Sequence, residues 1–304
     1  LDTAAAFGAG VPVYLDTPPP APAPVAAVAT ATRDVPLGTL PATLAGPVRW
    51  LAAGGLAFKK VDSLLRGNTY AEVAYAARAG GFSRIVFAPA FPQQGRVTVG
   101  GRQWLLPPGR PLAERAPIDD GRIADAFGVF GLPTVGDAEA SSAALDVWIP
   151  DVTGDADLAA IAAHAGARAR RWLWCGSAGL AFALATQRGG GVRDAAFPPA
   201  AGPGPLLLIS ASHHPVVRKQ WTLVRDVERA AIVVPHSRPA ALRSAFRAMA
   251  DGFDVAMFDL SPTRLLLPAE AAQLLATQMQ AIVSEAPRPA AVIVVGGDTL
   301  RNVC

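Results

Sequence analysis

Short apolar runs alternate with stretches of helical spacing along nearly the whole chain, and this alternation restricts the fold more than any other feature. Residues 84–88, 172–175, 206–210, 231–234, 255–260 and 290–295 are apolar apart from Arg84, Ser210 and Asp259 at or near their ends, and show no polar face. Strands that lie buried between two helical layers have that pattern. Between the runs, Tyr70, Val73, Ala74 and Ala77 recur at helical spacing, as do Leu158, Ile161, Ala162 and Ala165. Further helices are expected over 1–10, 40–54, 178–185, 215–227, 240–250 and 268–284. Further strands are expected over 11–15, 25–31 and 145–152. Strands in alternation with helices predict an α/β protein with mostly parallel sheets and flanking helices. Two departures interrupt it: a hairpin over 97–106, turning at Gly100 and Gly101, and a loop over 107–122.

A chain of 304 residues exceeds one ordinary core. The Gly-, Pro- and Ala-rich stretch after Arg188 has little periodicity and reads as a linker. The expected division is a domain over 1–190, a linker over 191–205 and a second domain over 206–304. With 51% hydrophobic and 17% charged residues, a large interior is available. The net charge of +3 comes with no basic run or stripe, which argues against a nucleic-acid partner. Cys175 and Cys304 offer neither a disulfide framework nor zinc spacing, and fit a reducing cytoplasm. No apolar run reaches membrane-span length, and the first residues lack a signal-peptide pattern. No metal-ligand spacing is present; the adjacent His213 and His214 would point apart on a regular helix.

The densest chemistry lies in Phe58-Lys-Lys-Val-Asp-Ser-Leu-Leu-Arg-Gly-Asn68. An apolar lead-in runs into Lys59, Lys60, Asp62, Ser63 and Arg66, and Gly67-Asn68 then breaks the chain before Thr69, a candidate helix cap. Cations, a carboxylate and a hydroxyl at one strand end suit a small anionic ligand that bears hydroxyl groups. The same residues would also serve as a solvated strand-to-helix turn with weak local ion pairs. Pro89-Ala-Phe-Pro-Gln-Gln-Gly-Arg96 is a second candidate: prolines stiffen the exit of a buried strand, and Gly95 permits a sharp turn that presents Arg96. In the second domain, Ser210-Ala-Ser-His-His-Pro215 and Gly296-Gly-Asp-Thr299 each end an apolar strand in small residues, which lets backbone approach a phosphate. Gly176-Ser-Ala-Gly179 has the same form and reads as a packing junction. Asp151 and Asp155 read as helix caps, and Asp119-Asp120 as a turn. There is no P-loop and no dinucleotide fingerprint.

With these motifs assembled, the chain resembles the four-carbon acid sugar kinases, a family long of unknown function. The resemblance rests on Lys59 to Asn68, Pro89 to Thr98, Gly176 to Ala181, Ser210 to Pro215 with Gln220, and Gly296 to Thr299. It implies ATP-dependent phosphorylation of a terminal hydroxyl of a threonate, erythronate or 3-oxo-tetronate, with ligands in a cleft between the two domains. Lys60, Asp62, Ser63, Arg66 and Arg96 would face the sugar acid in the first domain, with Asp62 also a candidate catalytic group. Ser210, Ser212, His213, Gly296, Gly297, Asp298 and Thr299 would face ATP in the second, and Mg2+ would arrive on the nucleotide. A homodimer is compatible with this reading. The family pattern also has an Asp-Asp-x-Thr-Gly-Ala motif before Leu1 and a Lys-Ser-Gly-Gly-Phe-Gly motif after Cys304. The chain is therefore expected to be a fragment of a longer protein; a catalytically silent binding protein of the same fold is the alternative. Within the chain, Leu64 and Val217 stand where Thr is usual, and Gln103 where His is common.

Overall fold

The computed structural model describes residues 2–8, 10–19, 23–107, 109–119, 121–139, 145–166, 171–190, 206–213, 215–225, 230–235, 255–259, 268–285, 289–296 and 299–300. The chain divides into two compact units, Leu1–Ala195 and Ala196–Cys304. The expected linker over 191–205 lies outside the described residues, as does the helix expected over 240–250.

The first unit is built on a five-stranded, all-parallel sheet. Its strands are β3 (Ala57–Lys60), β4 (Arg84–Ala88), β8 (Thr134–Val135), β9 (Asp146–Trp148) and β10 (Trp172–Gly176), in the order β3-β10-β4-β9-β8. Every residue of β4 is buried, as its apolar run requires of a central strand. One face packs against α2 (Leu40–Ala52), α3 (Thr69–Ala79) and α4 (Ile123–Gly128) through Leu44, Val73, Ile85, Phe87 and Phe127. The other packs against α5 (Asp155–Ala162) and α6 (Ala178–Gln187) through Val86, Leu158, Trp174, Leu180 and Leu184. A parallel pair, β1 (Val13–Leu15) and β2 (Ala27–Ala29), follows the short α1 (Asp2–Ala5). A buried, two-bonded ion pair between Arg84 and Asp146 joins β4 to β9, with N–O distances of 2.6 and 2.9 Å. Its guanidinium also lies over the Trp172 ring, 5.1 Å from the centroid.

Beside this sheet stands a three-stranded antiparallel ribbon, β5 (Arg96–Val99), β6 (Arg102–Leu105) and β7 (Ala116–Pro117). The hairpin is as expected, but residues 107–122 are not only a loop, since Ala116–Pro117 adds a third strand. Asp151, expected to cap a helix, instead accepts from Gly100 N–H and Gly101 N–H at the hairpin tip. Asp155 accepts from Gln93. The start of α5 is held by Asp157, which accepts from Thr153 N–H and Gly154 N–H. Helix α5 ends at Ala162, although the helical spacing continues to Ala165, and α1 ends at Ala5 rather than 10, where Gly8 and Gly10 take φ of +140° and +83°.

The second unit holds a four-stranded parallel sheet of β11 (Leu206–Ser210), β12 (Ala230–Pro235), β13 (Val255–Asp259) and β14 (Ala291–Val295), in the order β12-β13-β11-β14. The helices α7 (Pro215–Arg225) and α8 (Pro268–Glu285) accompany it. Among the described residues no helix is long and apolar enough to cross a membrane.

Candidate functional site

Three adjacent parallel strands of the first unit, β3, β10 and β4, end side by side: Lys60 pairs with Gly176, and Gly176 with Ala88. The loops that leave these ends enclose a pocket of about 180 Å³. Residues 60–64 and Arg66 come from the loop after β3, Phe91, Gln94 and Arg96 from the segment after β4, and Ser177 and Ala178 from the start of α6. Ligands of open α/β sheets sit at such carboxyl ends. All five residues expected to face an acid, Lys60, Asp62, Ser63, Arg66 and Arg96, line this one pocket.

Strand geometry separates the two adjacent lysines. Successive side chains of a strand point to opposite faces. Lys60 turns to the pocket, while Lys59 turns to the other face and forms an ion pair with Glu72 of α3, both largely buried. Lys59 is thus a bridge between β3 and α3.

The loop after β3 is tightly turned. Asp62 is 9% exposed; its carboxylate accepts from Leu64 N–H at 2.9 Å and from Arg66 Nε at 2.7 Å, with Arg33 Nη1 at 4.0 Å. Leu65 N–H donates to the Asp62 carbonyl, and Leu65 takes φ of +58°, a left-handed conformation that disfavours any residue with a Cβ. Gly67 has φ of +69°, and a Cβ there would lie 2.3 Å from the Arg33 carbonyl oxygen, so only glycine fits. Thr69 is not the helix cap. Asn68 holds that position without a side-chain cap bond, its amide donating instead to the Thr32 and Val35 carbonyls, and Thr69 Oγ1 donates to the Arg66 carbonyl.

Burial of Asp62 favours its protonated form. The Leu64 amide, the Arg66 guanidinium and the Lys60 charge outweigh burial and hold the carboxyl below its ordinary range. Asp62 is therefore an ionised acceptor committed to Arg66. Arg66 is 61% exposed and keeps both terminal nitrogens clear of other described groups.

Arg96 follows Gly95, whose φ is +70°, so the sharp turn expected there is present. Its Nη1 donates to Gln94 Oε1 at 2.6 Å, and its Nε is buried with no partner among the described residues. The junction after β10 packs as expected: a Cβ on Gly176 would lie 2.7 Å from Leu180 Cβ and 2.8 Å from the Ala88 oxygen. Ser177 Oγ donates to the Ala90 carbonyl and accepts from Gly179 N–H. The same junction nonetheless reaches the pocket. Its strand-to-helix form, shared with the other loops, was the available signal for Ser177 and Ala178; Phe91 and Gln94 lie within the candidate segment Pro89 to Arg96.

In the second unit, the expected nucleotide loops meet at the ends of neighbouring strands β11 and β14. Ser210 Oγ donates to the Val295 carbonyl and accepts from Ser212 N–H, and Ala211 N–H donates to Thr299 Oγ1. Gly296 takes φ of +108°, and a Cβ there would meet Thr299 Oγ1 at 3.1 Å. Arg218 of α7 pairs with Asp259 at the end of β13. His213 is exposed. Gly297, Asp298 and His214 lie outside the described residues. Among the described residues no three His, Cys, Asp or Glu side chains cluster to hold a metal.

Fold and pocket together define a class: a two-unit α/β protein with a small, cation-lined pocket at the carboxyl ends of parallel strands. Residues 3–122 match the sugar-binding N-terminal domain family. Over 196 residues the chain is 35% identical to a D-threonate kinase of Bordetella bronchiseptica, covering 59% of this chain and 45% of that protein. It is 31% identical over 199 residues to a D-threonate kinase of Cupriavidus necator, covering 56% and 45%. In fold it is similar to a putative tRNA synthase of Salmonella typhimurium, with TM-score 0.72 at 19% identity over 99% of this chain and 84% of that one. The Haemophilus influenzae protein HI1011 gives TM-score 0.68 at 16% identity, with coverage of 99% and 84%. The chain spans about half the length of the curated relatives it matches.

Proposed function

We propose that this chain binds a four-carbon sugar acid of the threonate type in the pocket of the first unit and ATP on the loops of the second, and that it transfers the terminal phosphoryl group to a hydroxyl of the acid. The observation behind this reading is the convergence of Lys60, Arg66 and Arg96, from two separate segments, on one small pocket that also holds Asp62 and Ser63. Arg66 and Lys60 supply charge for a carboxylate, and Ser63 can meet a hydroxyl. Phosphoryl transfer is driven mainly by positioning and charge neutralisation, so no strong nucleophile is required of the protein.

For ATP, the fit lies in Gly296: a side chain there would fill the space beside Thr299 and Ser212. The hydroxyls of Ser210 and Thr299 brace the two loops, and the phosphates would be approached from the strand ends at Ser212, His213 and Gly296. Mg2+ would come with the nucleotide and neutralise its phosphate charge.

The test uses the full chain with ATP and Mg2+ and follows ADP release. Release is expected with D-threonate, L-threonate or D-erythronate and not with threitol, which lacks the carboxylate. Binding of an acid without ADP release would instead identify a silent binding protein. Absence of both binding and release would remove this function.

A further inference from the structure

The loop that carries Asp62, Ser63 and Arg66 contains an unfavourable left-handed Leu65, and such a conformation persists only where neighbours hold it in place. One of those neighbours reaches it from the antiparallel ribbon. Gln103 of β6 is fully buried; its Nε2 donates to the Ser63 carbonyl at 3.0 Å, while its Oε1 accepts from Thr98 Oγ1, also fully buried, at 2.7 Å. Thr98 and Gln103 are a cross-strand pair within the hairpin, so their mutual bond needs no further purpose. The bond to Ser63 leaves the hairpin and ends on the backbone of the pocket. The hairpin is itself anchored on its far side, where Thr98 and Val152 exchange backbone bonds and Asp151 holds the tip. Arg96, a lining residue, begins its first strand.

We infer that Gln103 is a positioning residue for the acid pocket: its amide fixes the Ser63 carbonyl and so sets the turn that presents Ser63 and Arg66. The binding part of this inference rests on the proposed function; the loop part does not. Three variants separate the roles. Thr98→Val removes the hairpin bond and keeps the one to Ser63. Gln103→Met keeps the volume and loses both. The double variant removes both partners together, so that no buried hydroxyl is left without an acceptor.

Amide hydrogen exchange over residues 64–66 should quicken about tenfold in Gln103→Met and in the double variant, the change expected from losing one buried bond. It should stay unchanged in Thr98→Val. The dissociation constant for D-threonate should rise about tenfold in the same two proteins, with that for ATP unaltered. Unchanged exchange and affinity in Gln103→Met, or equal changes in Thr98→Val, would reduce Gln103 to a hairpin residue. If the parent protein binds no threonate, the proposed function falls, and the exchange data alone decide the role of Gln103.

Discussion

Asp62 and Arg66 answer to each other before they answer to any ligand. The carboxylate accepts from Arg66 Nε, and the guanidinium keeps its outer nitrogens for something else. A carboxyl held below its ordinary range is a poor proton acceptor near neutrality, so Asp62 suits the task of aiming Arg66 better than that of a base. Asp62→Asn is expected to weaken D-threonate binding about tenfold and to lower stability by about 1 kcal/mol, with ATP binding unchanged. Calorimetric titration with each ligand, and urea unfolding, check this. Arg66→Lys should also weaken acid binding, because one ammonium cannot reproduce a two-pronged fork. Unchanged acid affinity in both variants would remove this loop from the site. The pH dependence has a definite sign. The folded carboxyl titrates below its ordinary value of 3.8, so its contribution is complete above that value and is lost as the pH falls through the lower, folded one. Asp62→Asn should therefore flatten the acid limb of stability below about pH 4.

At the scale of elements, β3 and α3 show what could be foreseen. Lys59 and Lys60 are adjacent in sequence, and the strand's two-residue period sends them to opposite faces. That an acid would meet Lys59 was not legible, because Glu72 lies on another element and nothing in its own helix singles it out. Glu72→Ala would orphan a largely buried ammonium. Allowing for 17% exposure of Lys59, the expected cost is about 2–4 kcal/mol in urea denaturation, whereas Lys59→Met with Glu72→Leu should be nearly neutral. The central strands were legible because their apolar runs are long enough to show a pattern. The two-residue β7 and β8 carry no period at all. Helix α5 was overextended because Ala165 continues the apolar spacing; it packs against the core from beyond the helix end. The site loops were legible as glycine-marked strand ends. The bond from Gln103 to Ser63, forty positions apart, was not, since a lone glutamine on a hairpin has no sequence signature.

Among the described residues each unit has its own larger parallel sheet, of five strands in the first and four in the second, and the pocket lined by Lys60, Asp62 and Arg66 is built from residues of the first unit alone. The loops proposed for ATP belong entirely to the second. Each ligand should then act on the unit that holds it. A ligand that binds only the folded form stabilises it by about 2.7 kcal/mol at a hundred times its dissociation constant. That is large against the net stability of a domain, which is about 5–15 kcal/mol. Scanning calorimetry of the full chain should resolve two transitions. D-threonate should raise one by several degrees, and ATP with Mg2+ the other. The Gly296→Ala substitution places a Cβ 3.1 Å from Thr299 Oγ1 at a φ of +108°, where side chains are strained. It should abolish the ATP shift and leave the threonate shift intact. Arg66→Lys should do the reverse. A single transition raised equally by both ligands would mean that the units melt as one, and the assignment of one ligand to each sheet would then have to rest on the two substitutions alone. Loss of both shifts in Gly296→Ala would defeat that assignment outright.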